Sequence, residues 1–307
     1  MKPLLLFFTK LIIIASSFFI LITVVVMPQY STEYSAALRD KFARAKAIDQ
    51  PKIILVGGSN VAFGFDSKML EKEMAMPVVN FGLHASLGQE FHSDLLKGQI
   101  KRGDIIILAP EYYDYLEDYC DYVMAWVAIE NDFSLFIAAA RERHLDGLLD
   151  AFPTYLRRAM DHFFDNLNGR ALINELSREN FNDFGDYAVP RPELIIEAGM
   201  TNSFVSASLS DSLRDYWNDL DQFVIGKKAT LYMSSPPIVF EEVRVDLDAL
   251  QTQLEENLNF PVISKLADYV YPMDYFYDTG FHLNDHGRKI RTEQLIKDLK
   301  SLSFVIF

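Results

Sequence analysis

Residues 51–60 read PKIILVGGSN. Ile53 to Val56 offer no polar side for water, so the run predicts a strand buried on both faces, as in a parallel sheet. Gly57-Gly58 then predicts a sharp turn, because glycine accepts backbone conformations that other residues resist. Two similar runs follow, Pro77 to Asn80 and Asp104 to Ala109 (DIIILA), the second stopped by Pro110. Between them the pattern predicts helices over 66–75, capped by Asp66 or Ser67, and over about 86–99. Residues 229–234 (ATLYMS) predict a fourth strand. A helix over 241–257, a weak strand near 261–264 and a last helix from about Asn284 to Leu302 complete the pattern. Strands alternating with helices imply an α/β fold, a parallel sheet covered on both faces. Residues 116–225 break the alternation; they read as a helical insertion or cap, with turns at Asn168-Gly169, Gly185 and Pro190 to Pro192.

Leu11 to Met27 (LIIIASSFFILITVVVM) carries no charge. As a helix it spans about 25 Å at 1.5 Å per residue. Leu4 to Phe8, beyond Lys10, extends it to cross a hydrocarbon layer of about 30 Å. Residues 1–30 therefore read as a transmembrane signal anchor, and 31–50 as a polar, partly helical stalk. Lys2 and Lys10 precede the apolar run, which implies a cytoplasmic amino terminus and a domain outside the membrane. A cleaved signal peptide, with Ser35-Ala36-Ala37 as a weak cleavage site, and a buried core helix are the competing readings.

The 307 residues, 50% hydrophobic and 23% charged, suit one large globular domain (51–307) without internal repeats. A net charge of −14 repels phosphates and argues against a nucleic-acid partner. The single cysteine, Cys120, excludes an intrachain disulfide and a cysteine-based zinc cluster. Next to aromatic residues, it reads as a packed side chain rather than a nucleophile.

Ligands of open parallel sheets bind beyond the carboxyl ends of the strands. Gly57-Gly58-Ser59-Asn60, Asn80-Phe81-Gly82, Glu111-Tyr112-Tyr113, Ser234-Ser235 and the Asp278/His282 loop all fall there. A serine hydroxyl is a weak nucleophile until a base takes its proton. Ser59 is the candidate nucleophile, His282 the base, and Asp278 the group that orients the imidazole. The plainer readings are a simple or phosphate-cradling turn at GGSN, a helix-capping aspartate and a loop histidine.

ILVGGSNVAFGFDS, NFGLHASLG and YDTGFHLNDHGRK resemble blocks I, II and V of the SGNH/GDSL hydrolases, in particular anchored relatives that modify bacterial surface polysaccharides. The likeness covers about residues 51–115 and 228–300. It implies a flavodoxin-like three-layer fold, Ser59 as nucleophile, the Ser59 and Gly82 amides as oxyanion-hole donors, Asp278 and His282 as the remaining catalytic pair, and no cofactor. It also implies acyl-ester hydrolysis or O-acyl transfer, with acetyl as the expected group, on a cell-envelope glycan. Two positions depart from the pattern. Where the family's third block carries an asparagine that donates to the oxyanion, this chain has APEYYDY, with Glu111 near that position. An ionised carboxylate cannot donate, so Asn60 or Asn80 is the alternative donor. Block V is D-x-x-x-H rather than D-x-x-H. Both departures also fit a catalytically silent domain that binds glycan or a membrane-bound acyltransferase.

Other residues carry weaker signals. His84 reads as a loop residue or as pocket lining. His282 and His286 lie four apart but lack a third ligand, so no metal site is expected. His144 and His162 read as surface residues, Arg288 and Arg291 as solvated. Tyr112, Tyr113, Tyr115, Tyr119 and Tyr122 read as packing or as sugar-stacking rings, and Asp114, Glu117, Asp118 and Asp121 as a solvated helix face.

Overall fold

The computed structural model describes every residue except 1, 28, 116–117, 170–175, 194–207, 241–242, 244–245 and 304–307. In chain order the elements are α1 (Lys2–Leu21), α2 (Ala37–Ala47), β1 (Ile53–Val56), α3 (Ser59–Ala62), α4 (Ser67–Met74), β2 (Val78–Asn80), α5 (Gln89–Lys97) and β3 (Ile105–Leu108). There follow α6 (Tyr122–Ile129), α7 (Phe133–Arg141), α8 (Leu145–Leu167), α9 (Asp211–Gly226), β4 (Thr230–Met233), β5 (Ile238–Val239), α10 (Leu247–Asn257), β6 (Val270–Tyr271) and α11 (Asp285–Ser303).

The fold is α/β. Its main sheet has four parallel strands in the order β2-β1-β3-β4. Ile54 sits opposite Val79 on one side and Ile106 on the other. Successive side chains leave opposite faces of a strand. Ile54, Val56, Ile106 and Leu231 accordingly join Leu95 of α5 and Trp217 of α9 in one core. Ile53, Leu55 and Ile107 join Leu70 of α4 and Leu295 and Leu299 of α11 in another. No β1 residue is more than 1% exposed. Burying such a side chain contributes about 1.5–3 kcal/mol, which is why an all-apolar run suits this place.

Outside the main sheet, β5 and β6 pair in parallel as a two-stranded patch that the sequence pattern does not announce. The weak strand near 261–264 is reduced to a single parallel bridge, Met233 with Val262. The start of the helix expected over 241–257 falls partly outside the described residues; its ordered part is α10.

Pro3–Val26 is a helix long and apolar enough to cross a membrane, with none of it buried against protein. The stalk expected over 31–50 is instead part of the domain. Leu38, Phe42 and Ala45 recur at helical spacing and lie 0–3% exposed in the core. Ser35, Ala36 and Ala37 are buried as well.

The insertion is helical as expected, but several of its polar residues face inward. His144 is only 2% exposed. Its Nε2 pairs with Asp94 at 2.9 Å, and Asp94 also takes the Tyr216 hydroxyl at 2.7 Å and the Lys97 ammonium at 2.7 Å. Within the acidic run, Asp118 and Asp121 do not form a solvated face either. Asp118 accepts the Gln89 and Glu90 amides at the start of α5, and Asp121 caps α6 through the Val123 and Met124 amides. Glu117 lies outside the described residues. Tyr112 and Tyr115 are buried packing residues.

At the amino ends of the strands, Lys52 and Asp104 form a 2.8 Å ion pair with neither side chain exposed. Asp104 also accepts the Lys52 and Lys101 amides. Removing one partner of such a pair strands the other charge in an apolar setting. Asp104→Ala is therefore expected to cost about 3–5 kcal/mol of unfolding free energy, read from urea titrations; a loss under about 1 kcal/mol, the range of an exposed pair, would contradict the packing described.

Candidate active site

β1 ends against the turn Gly57-Gly58, and Ser59 opens α3. A side chain at position 58 has no room: a Cβ there would lie 2.7 Å from Glu111 Oε1 and 2.9 Å from Ala85 Cβ. Glu111 follows β3 across Pro110 and is 2% exposed. The Ser59 hydroxyl donates to Glu111 Oε1 at 3.1 Å, and the Asn60 amide donates to the same oxygen at 3.0 Å. The Asn60 side-chain amide donates to Ala109 O at 2.9 Å. Residues from the ends of two adjacent strands thus meet in one buried knot.

Behind the knot stands Arg291 of α11, expected in solvent but 0% exposed. It donates to Asn60 O at 2.5 Å and to Ser235 O at 3.2 Å, and its guanidinium lies 4.1 Å from the Phe65 ring centre. Burial lowers its pKa to about 10, against the opposing pull of Tyr271, Tyr269, Tyr112 and Glu111.

The second component is the loop before α11. His282 Nδ1 lies 2.7 Å from Asp278 Oδ1. Thr279 Oγ1 accepts the His282 amide at 3.1 Å, and the Tyr277 amide bonds back to His282 O at 2.8 Å. These bonds let the D-x-x-x-H spacing form the pair despite its extra residue. The imidazole stacks on Phe63, with centroids 4.0 Å apart and planes 8° apart. Phe63 is the C-cap of α3, the short helix that Ser59 begins. Burial opposes the Asp278 charge, but the hydrogen bond and charge of His282, with Arg191 behind, outweigh it and leave the carboxyl below its ordinary value. A proton held on Nδ1 by that carboxylate leaves Nε2 as the accepting nitrogen. Among the described residues no hydrogen bond joins Ser59 to His282; the hydroxyl is given to Glu111.

Asn80 and Gly82 form a third component. Asn80 Oδ1 accepts the Gly82 amide at 3.0 Å, while its Nδ2 donates to Val61 O at 3.0 Å and to Asp186 Oδ1 at 2.8 Å. Of the expected oxyanion donors, the Gly82 amide and the Asn60 and Asn80 side chains thus already have partners. Gly82 still meets a requirement of packing, since a Cβ there would lie 2.4 Å from Val61 Cβ.

Asp186, from the insertion, was not foreseen as a site residue, and neither were Tyr34 and Phe63. Asp186 also binds the Ser67 hydroxyl at 2.5 Å. Tyr34 donates to Leu83 O at 3.1 Å and leans on Phe63 at 6.3 Å. His84, next to Ala85, lines a cavity beside them. Crowding by protein depresses its pKa; Glu111 opposes this and His282 adds to it. His286 packs edge-on against Tyr275 at 4.6 Å. Among the described residues no group of three His, Cys, Asp or Glu is placed to hold a metal ion. Burial raises the pKa of Cys120. No protein-family model, curated protein or solved structure matches the chain.

Lys41 of α2 supports this floor. It is 1% exposed and donates to Asn80 O at 3.1 Å and to Gly185 O. Burial pushes its pKa down to about 7, against the pull of Asp186 and Asp40. Between about pH 7 and the unfolded lysine value of about 10.4 the unfolded chain holds a proton that the folded chain lacks. Stability should therefore rise with pH across that window, by up to ~1.4 kcal/mol per pH unit. Urea midpoints at pH 7 and pH 9 should diverge for the wild type and converge for Lys41→Met; equal slopes in the two proteins would show that Lys41 is not the titrating group.

Proposed function

We propose that the chain is a serine-dependent acyl-ester hydrolase or O-acyltransferase with an SGNH-like, flavodoxin-like domain. In this reading α1 anchors it and the domain works outside the cytoplasm on a cell-envelope polysaccharide, with acetyl as the transferred group. The observation that carries the reading is the Asp278–His282 pair, 2.7 Å apart and stacked on the helix that begins with Ser59. The strand order 2-1-3-4, and the gathering of polar groups at the carboxyl ends of β1 and β3, also agree with it.

The steps are those of acyl transfer. Ser59 Oγ turns from Glu111 to His282 Nε2 and attacks the ester carbonyl as the imidazole takes its proton. Asp278 stabilises the imidazolium. The carbonyl π pair moves to oxygen, then returns as the C–O bond to the alcohol breaks and His282 protonates the leaving oxygen. Water or a sugar hydroxyl, deprotonated by His282, attacks the acyl-serine and the proton returns to Ser59.

A second reading, a non-catalytic domain that binds glycan or a membrane-bound acyltransferase, is favoured by the Ser59–Glu111 bond. Labelling the full-length protein in detergent with a fluorophosphonate separates the two. The acyl-transfer reading expects labelling that vanishes in Ser59→Ala and falls by roughly 10²-fold or more in His282→Ala. Glu111→Gln should label faster than the wild type, because it removes a charge beside the developing oxyanion. A folded wild type that never labels supports the binding reading.

A further inference from the structure

We propose that α8 docks on the bilayer surface beside the end of α1, with Leu149, Met160, Phe164 and Leu167 set among lipid headgroups and the tops of the acyl chains. This docking rests on the anchor reading of α1 above and is independent of the acyl-ester chemistry.

Helix α8 has two apolar sides. Leu148, Tyr155 and Ala159 are fully buried, and on that side α8 packs against α6. Leu149, Met160, Phe164 and Leu167 are instead 57%, 43%, 54% and 67% exposed. At 3.6 residues per turn these four fall within an arc of about 60°. A globular helix needs one apolar stripe to join a core; the second one here is open.

The joint between α1 and α8 holds that stripe at the membrane. Val26 is the last residue of the apolar span, and Met27 follows it. The Tyr155 hydroxyl lies 2.9 Å from Met27 O, and Asn166 Nδ2 donates to Gln29 Oε1 at 3.4 Å. The Glu130 carboxylate, with none of its side chain exposed, locks the same place. It accepts the Tyr30 amide at 2.8 Å and lies 2.7 Å from the Tyr155 hydroxyl and 3.4 Å from the Arg39 guanidinium. Met160 is about 8 Å along α8 from Tyr155, and Phe164 about 3 Å from Asn166. The headgroup layer is about 5–8 Å deep on each side of the hydrocarbon. Both side chains therefore sit at the depth where lipid covers an apolar helix side. The polar side of α8 carries Asp150, Asp161 and Asp165 with Arg157 and Arg158. That balance gives anionic headgroups no special hold, so docking rests on apolar area. A modest area suffices, because α1 keeps the helix at the surface and raises its effective concentration there.

The test uses the full-length protein in phosphatidylcholine nanodiscs containing a trace of phosphatidylcholine with an aryl diazirine near the top of one acyl chain. After irradiation, adducts are mapped by mass spectrometry. Adducts are expected on α1, where they report insertion, and on the tryptic peptide 159–170, which holds Met160 and Phe164. Phe164→Asp changes an exposed position. It should reduce the α8 adducts by at least ~10-fold, as for one such side chain leaving an apolar setting, with the α1 adducts unchanged. Adducts on α1 with none on α8 overturn this docking and leave the anchor reading intact. Adducts on neither overturn the anchor reading and the docking together. Undiminished α8 adducts in a folded Phe164→Asp also overturn it, since lipid then meets another side of the helix; the wild-type arm decides alone should the variant not fold. Discs that take up the chain only in pairs, with α8 unlabelled, assign the stripe to a second copy and overturn the docking on lipid.

Discussion

Ile53 to Val56 have no face open to water, and the arrangement of the site follows from that constraint. Inside the sheet the β1 peptide groups are satisfied by β2 and β3. Where the strands end, the backbone must turn and its polar groups must find other partners. Because β1 lies between β2 and β3, the turns after all three open on one rim. Ser59, Asn80 and Glu111 share one rim for that reason, although Ser59 and Glu111 are 52 residues apart in the chain.

That rim is buried, so its polar groups need internal partners. Besides the bonds among the rim residues themselves, three buried cations bind backbone carbonyls there. Lys41 holds Asn80 O and Gly185 O, Arg291 holds Asn60 O and Ser235 O, and Arg191 holds Phe63 O at 3.1 Å. Each bond fixes the backbone beside a site residue without occupying a carboxylate. The positive charge that Arg291 and Arg191 bring inward also faces Glu111 and Asp278, in a protein whose net charge is −14. The scaffold of the rim is therefore electrostatic as much as apolar. Burial lowers the pKa of all three cations, which is the cost of holding them there.

The sheet was legible because an all-apolar strand suits burial on both faces, and the Asp278–His282 contact was legible because loop spacing is a local signal. What the sequence hid depends on the direction a helix faces. Arg291 looks solvated by composition, yet it shares a helix side with Leu295 and Leu299, four and eight residues on, which pack on the sheet. Polar composition similarly hid the burial of α2, whose Leu38, Phe42 and Ala45 carry the helical period. Asp186 had no local signal: it meets Ser67 and Asn80 across 119 and 106 residues of chain. The strands β5 and β6, two residues each, are too short for any period to show.

Glu111 is where the chemistry of the rim is decided. Ionised, it is an acceptor only, so the Ser59 hydroxyl and the Asn60 amide must both point at it. A serine held in that direction keeps its proton while an oriented imidazole stands nearby without it. Under the acyl-ester reading, two bonds to a charged acceptor must be exchanged before attack, at about 1.5–3 kcal/mol each if nothing replaces them. A substrate replaces them if its hydroxyl donates to Glu111 and its carbonyl accepts from the Asn60 amide. A hydroxylated molecule such as a sugar can supply that donor, so the departure at the third block is compatible with the acyl-ester reading as well as with a silent site.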